Sequence, residues 1–179
     1  MKKFKNLIFA LAATFAMASV AGADVKQAGS ADAAHEGFEK IKALSGDWEV
    51  APSAGAHDHG PMSGAVSYKV TAGGSAVLET LFGGSEHEMV TLYYIDGDAL
   101  VLTHYCMLGN RPHMLAQPQT EPNKLTFKCA DGDKIEAEDH MHQATFTFVD
   151  PDHLKTEWVL YKEGKPAGTH AFQLTRKPK

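Results

Sequence analysis

Ten histidines and two cysteines carry the most versatile chemistry in this chain, and their spacing concentrates them. His104 and Cys106 stand two residues apart in Leu-Thr-His-Tyr-Cys, and His140 and His142 form a His-x-His pair. Neutral imidazole is a good ligand for late first-row metals, with Zn–N near ~2.0–2.1 Å, so Zn²⁺ or Cu²⁺ is the implied ion. On one strand face the Cα atoms of a His-x-His pair lie about 6.5–7 Å apart, a span that two ring nitrogens can close on one ion. Asp139, Glu86 and Glu88 are neighbouring acids of the kind that orient metal-bound imidazoles. Cys106 and His104 would also permit a thiolate–imidazole pair, against which stands a packed or disulfide-bonded cysteine. Glu79 shares a strand face with Val77 and Leu81, which turns a carboxylate inward.

Other chemistries find no support. Gly73-Gly74 and Gly83-Gly84 lie between strands with no helix following, so they are turns and not phosphate cradles. No Gly-x-Ser-x-Gly nucleophile elbow occurs.

The elements that must position these residues are almost all strands. From His87 to Met114 the residues alternate, break at Asp96-Gly97 and alternate again, the pattern of a β-hairpin. Ten strands follow from such alternation and from Gly-, Asp- and Pro-marked turns: 47–51, 64–71, 75–82, 88–95, 99–106, 111–117, 124–129, 139–149, 154–162 and 167–176. Before them, His35 to Leu44 places Phe38, Ile41 and Leu44 at helical spacing, with Asp32 as a cap. The expected fold is all-β, an antiparallel up-and-down barrel of about ten strands with one short N-terminal helix as a lid. Such a barrel is wide enough to hold a small ligand.

Lys2, Lys3 and Lys5, the apolar run Leu7 to Val20 and Ala21-Gly22-Ala23 read as a signal peptide over residues 1–23. Residues 24–45 then form a flexible lead-in and the short helix, and 46–177 the barrel. This implies a periplasmic or secreted protein that leaves the membrane once the leader is cleaved. The leader's three Lys removed from 17 basic residues leave 14 against 22 acidic ones, a formal charge of −8. Nucleic acid is therefore not expected as a partner, since it needs a basic patch. In an oxidising compartment Cys106 and Cys129 favour a disulfide. An intervening strand would hold them about 9–10 Å apart, beyond the reach of one, so bonded and unbonded states both stand.

Leu44-Ser45-Gly46-Asp47-Trp48 resembles the Gly-x-Trp opening of lipocalin-like (calycin) barrels, in which an Arg near the end of the last strand, here Arg176, covers the Trp. Ten strands behind that opening also resemble nitrobindin-type and fatty-acid-binding-type barrels. The His-Tyr-Cys, Gly-Asn-Arg-Pro and Phe-Val-Asp-Pro-Asp-His stretches resemble an uncharacterised family of secreted bacterial lipocalin-like proteins, across roughly residues 40–177. That family implies a fold and no function.

Strand parity then sorts the histidines. In a meander, odd strands end and even strands begin at one rim, which gathers His87, His104, His113, His140, His142 and His170 there, with His57 and His59 in a rim loop. Alternation turns His104, His140, His142 and His170 toward the lumen. The expected function is binding of a small ligand or metal ion at a His-lined mouth, with His104, His140 and His142 as metal ligands. A metal-dependent enzyme with an open coordination position is the alternative, as is a haem-binding nitrobindin-like barrel, with His170 and Cys106 as the cofactor-contacting residues. A merely solvated ring of rim histidines is the plainest reading.

Overall fold

The computed structural model describes residues 31–51, 64–132, 135 and 137–178. The leader, most of the lead-in, and His57 and His59 lie outside the described residues. Helix α1 (Ala31–Lys42) precedes ten strands: β1 (Gly46–Val50), β2 (Ala65–Thr71), β3 (Ala76–Leu81), β4 (Met89–Asp96), β5 (Ala99–Tyr105), β6 (His113–Ala116), β7 (Lys124–Cys129), β8 (His140–Asp150), β9 (His153–Lys162) and β10 (Lys165–Arg176). Each strand pairs antiparallel with its sequence neighbours, and β1 pairs with β10 to close the barrel. The expected all-β, ten-stranded barrel with one short helix is the observed fold. Asp32 sits within the first turn of α1, where its charge faces the positive end of the helix dipole.

The Asp-Gly break closes as expected. Asp96 pairs with Ala99, leaving Gly97 and Asp98 as a two-residue loop, and Gly97 takes φ +58°, which glycine adopts without strain.

Antiparallel pairing lines up inward side chains as rows across neighbouring strands. Val77, Tyr93, Leu102, Met114 and Cys129 are successive cross-strand partners over β3 to β7. Phe127, Ala144, Trp158 and His170 continue around β7 to β10. Tyr93, Phe127 and Phe146 meet edge to face with centroids 5.9–6.0 Å apart, and Phe146 meets Trp158 at 6.2 Å. All four are buried, so aromatic rings fill the middle of the barrel.

Helix α1 covers one end. Its buried face is Ala34, Gly37, Phe38 and Ile41, and a Cβ on Gly37 would stand 2.9 Å from Leu100 Cδ2. Leu100 and Leu125 lie where β5 and β7 begin, so the helix closes the mouth opposite the one where Cys129 ends β7.

The resemblance to calycin barrels predicts that Arg176 covers Trp48, and it does: the guanidinium carbon lies 4.2 Å from the ring centroid. Arg176 Nη1 donates to Ser45 O at 2.9 Å, Nη2 to Ala43 O at 2.9 Å, and Nε to Pro151 O at 3.0 Å. Trp48 Nε1 donates to Leu44 O at 2.8 Å. Gly46 takes φ +129°, and a Cβ there would stand 3.3 Å from Arg176 Nη1. The glycine of Gly-x-Trp is thus needed for both backbone conformation and close approach.

Arg176→Lys keeps the charge but cannot bridge the same carbonyls, because an ammonium lacks the planar fork of donors. We expect it to lower stability in urea unfolding by about 1–3 kcal/mol, from lost hydrogen bonds and a weakened ring contact. An unchanged midpoint would show that the seam does not depend on this side chain.

Candidate functional site

At the mouth opposite α1, three side chains from two adjacent strands come together. Cys129 ends β7, and His140 and His142 open β8. One ligand atom from each lies within 4.8 Å of the other two. His140 is fully buried, whereas Cys129 and His142 are half-buried.

Local pairing explains the convergence. Lys128 pairs with Gln143, so the next position along places Cys129 beside His142. On the other flank, Ala144 pairs with Trp158 and His140 with Tyr161, so four steps on β8 match three on β9. The extra residue is a β-bulge between Met141 and Gln143, and bulges re-aim side chains. His140 is buried like Ala144 and Phe146, whereas His142, at the bulge, is half-buried.

The bonding around the two rings fixes proton positions. His140 Nδ1 lies 2.8 Å from Glu138 O, and since a carbonyl only accepts, Nδ1 carries the hydrogen. In the neutral ring Nε2 then holds a lone pair, directed at His142 Nδ1 3.1 Å away. His142 Nδ1–H is the donor in that contact. The His142 ring also stacks on Tyr161, with centroids 3.9 Å apart and planes at 13°. A backbone carbonyl holding the distal nitrogen of one imidazole is a common support for a metal ligand.

The separations suit one ion. Two nitrogens at ~2.05 Å from a tetrahedral ion stand about 3.3 Å apart, and a sulfur at ~2.3 Å stands about 3.6 Å from each. The two histidine nitrogens already have that spacing, and the thiolate needs to close by about 1 Å from its upper limit. Coordination by His142 Nδ1 moves its proton to Nε2, so the ion takes the place of a hydrogen.

The other sequence candidates lie elsewhere. His104 does not join the group; Cys129 stands where a third imidazole was expected. His104 is buried on β5, with Nδ1 2.9 Å from Thr91 Oγ1 and its ring 4.7 Å from Trp158. Burial lowers its pKa to about 4. His170 lies midway along β10 as the partner of Trp158. Cys106 is buried in the turn after β5; burial raises its thiol pKa, opposed by backbone hydrogen bonds from Leu108 and Met107. Neither cysteine is in a disulfide. Cys129 is level with Met114 and Leu102, while Cys106 lies two strands away and four residues further along, so strand geometry rules out a bond. Asp139, expected near the ligands, pairs at 3.6 Å with Lys162 on the surface.

A second polar group was only partly foreseen. Glu79 is 1% exposed and does face inward, as its alternation with Val77 and Leu81 implied. It accepts from Tyr68 Oη and Tyr93 Oη, each at 2.6 Å. Burial raises its pKa, and the hydrogen bonds from Tyr68, Tyr93 and Thr91 act against that rise.

No protein-family model matches the chain. No curated protein matches it significantly either.

The His104 environment gives a pH prediction. Its folded pKa of about 4 lies below the ordinary value of 6.5. Between these the unfolded chain binds a proton that the folded chain refuses, so this contribution to stability is present above 6.5 and lost as pH falls toward 4. The full effect is about 3 kcal/mol. Glu79, with its raised pKa, contributes in the opposite sense as pH falls. Urea midpoints at pH 7 and pH 4.5 should therefore fall further for the native chain than for His104→Asn. Parallel losses would show that His104 does not carry the acid sensitivity.

Proposed function

We propose that this protein is an exported metal-binding barrel in which Cys129, His140 and His142 hold one late first-row ion, Zn²⁺ or copper. The observation that carries the reading is their mutual approach within 4.8 Å, with His140 Nδ1 already committed to Glu138 O. A thiolate and two imidazoles are borderline-soft donors, which suit zinc and copper and not the oxygen-seeking Ca²⁺ or Mg²⁺.

The position of the group supports binding at the mouth and not in the lumen. The interior is occupied by Tyr93, Phe127, Phe146 and Trp158, and the far mouth by α1. Three protein donors leave a fourth coordination position for water or a small ligand, the pattern of an accessible ion. A small molecule would thus be recognised through the ion. The leader-like N-terminus supports export.

The untagged protein, dialysed against Zn²⁺ or Cu²⁺ and then against buffer, should retain about one ion per chain by elemental analysis, as a three-donor site implies. Cys129→Ser and His142→Ala should each weaken retention by more than about 100-fold, beyond the 10–100-fold typical of supporting residues. Co²⁺ loading should give a thiolate-to-metal charge-transfer band that Cys129→Ser abolishes. Retention unaffected by both substitutions, or no retained ion, would overturn the assignment.

A further inference from the structure

The barrel interior holds a continuous polar row that the metal site does not use. Tyr68, Glu79, Thr91 and His104 occupy β2, β3, β4 and β5, and each is the direct cross-strand partner of the next. All four are nearly or fully buried, at 0–2% exposure. Among the described residues Glu79 is the only buried carboxyl; Thr91, His104, His140 and Thr156 are also buried, as are the phenols of Tyr68 and Tyr93. Tyr93, also on β4, adds the second phenol on Glu79. Trp158, from β9, packs on His104 without bringing a charge.

The proton count along the row is constrained. Both phenols donate to the carboxyl, one to each oxygen. Thr91 is the direct cross-strand partner of Glu79 on one side and, on the other, lies with its hydroxyl 2.9 Å from His104 Nδ1. A threonine hydroxyl has one hydrogen, so it donates in only one of these directions at a time. With Glu79 ionised, Thr91 donates to the carboxylate and must accept from His104 Nδ1–H, which leaves the lone pair on Nε2. With Glu79 protonated, the carboxyl donates to Thr91, whose hydroxyl donates to a bare Nδ1, and the imidazole hydrogen sits on Nε2.

We propose that this row is a proton relay in which Thr91 couples the protonation state of Glu79 to the tautomer of His104. A proton arriving at Nε2 forms an N–H bond there as the Nδ1–H bond breaks. The Nδ1 proton joins the Thr91 oxygen, and the hydroxyl's original proton passes to Glu79. One proton enters, one O–H bond forms at Glu79, and nothing is oxidised or reduced. The end state has a neutral carboxyl and a neutral imidazole, which suits a dry interior. The low pKa of His104 agrees, since burial disfavours the imidazolium that would otherwise trap the proton. The consequence for binding is that Nε2 accepts a hydrogen bond in one state and donates in the other. This relay is independent of the metal site.

Two-bond ¹H–¹⁵N correlation of the histidine rings reports the His104 tautomer, and the ¹³C shift of the Glu79 carboxyl reports its ionisation, on one labelled sample across pH. Ionised Glu79 should always accompany Nδ1–H, and protonated Glu79 always Nε2–H. In Glu79→Gln the amide donates permanently, so His104 should hold Nε2–H at every pH where it is neutral. In Thr91→Val the tautomer should no longer follow Glu79. The opposite pairing in the native chain, or a His104 tautomer that stays fixed while Glu79 titrates, would overturn the relay even if both variants failed to fold.

Discussion

The contact on which the barrel depends is the one at its seam, where Arg176 of the last strand lies over Trp48 of the first. The two residues are also direct partners in the β1–β10 ladder. Closing this ladder joins strands more than a hundred residues apart, so it carries the largest loop-closure cost in the molecule. Arg176 offsets that cost by acting on three segments together. It holds the ring of Trp48, the carbonyls of Ala43 and Ser45 beyond the end of α1, and Pro151 in the β8–β9 turn. The cation thus sits just past the C-terminal end of α1, where the helix dipole favours positive charge. Lid, seam and turn are therefore tied together by one side chain.

Register decides where chemistry can sit. The aromatic rows fill the middle, leaving little room for polar side chains except where they satisfy one another. Glu79 is tolerated because Tyr68 and Tyr93 each donate a hydrogen bond to it, one to each oxygen. Removing any one of these would expose a buried carboxyl to the full penalty of an unmet hydrogen bond. The metal-capable group lies instead at the rim, where His140 is buried but Cys129 and His142 are reachable from solvent. The two polar groups divide the molecule: one is enclosed within the barrel, and the other lies at its rim.

Much of this was legible in the chain. Period-two alternation and turn residues located all ten strands within two residues, and Gly-x-Trp with a distant Arg foretold the seam. The Thr91–His104 contact was also within reach, because a two-residue loop after Asp96 makes those residues partners when the hairpin is counted outward. Cys129 was harder. Ten residues separate it from His140, and so long a connection leaves the β7–β8 register open, whereas a two-residue loop fixes it. With the register unknown, Cys129 read equally as a disulfide partner of Cys106 or as an unbonded thiol. The bulge at Met141–Gln143 has no local marker at all, since neither glycine nor proline stands there.

That bulge has a physical consequence for the two imidazoles. Without it, His140 and His142 would be ordinary same-face neighbours about 6.5–7 Å apart at Cα, each aligned with its own cross-strand partner. One extra residue on β8 moves His140 opposite Tyr161, beside the ring on which His142 stacks. The Glu138 carbonyl then fixes His140 so that its lone pair meets His142 Nδ1. An arrangement serving only to pack the rim would not require two imidazoles and a thiol with converging donor atoms. Hydrophobic side chains would fill the same space without the desolvation cost of a fully buried imidazole. The local irregularity therefore brings the donors together, and the regular sheet around it holds them there.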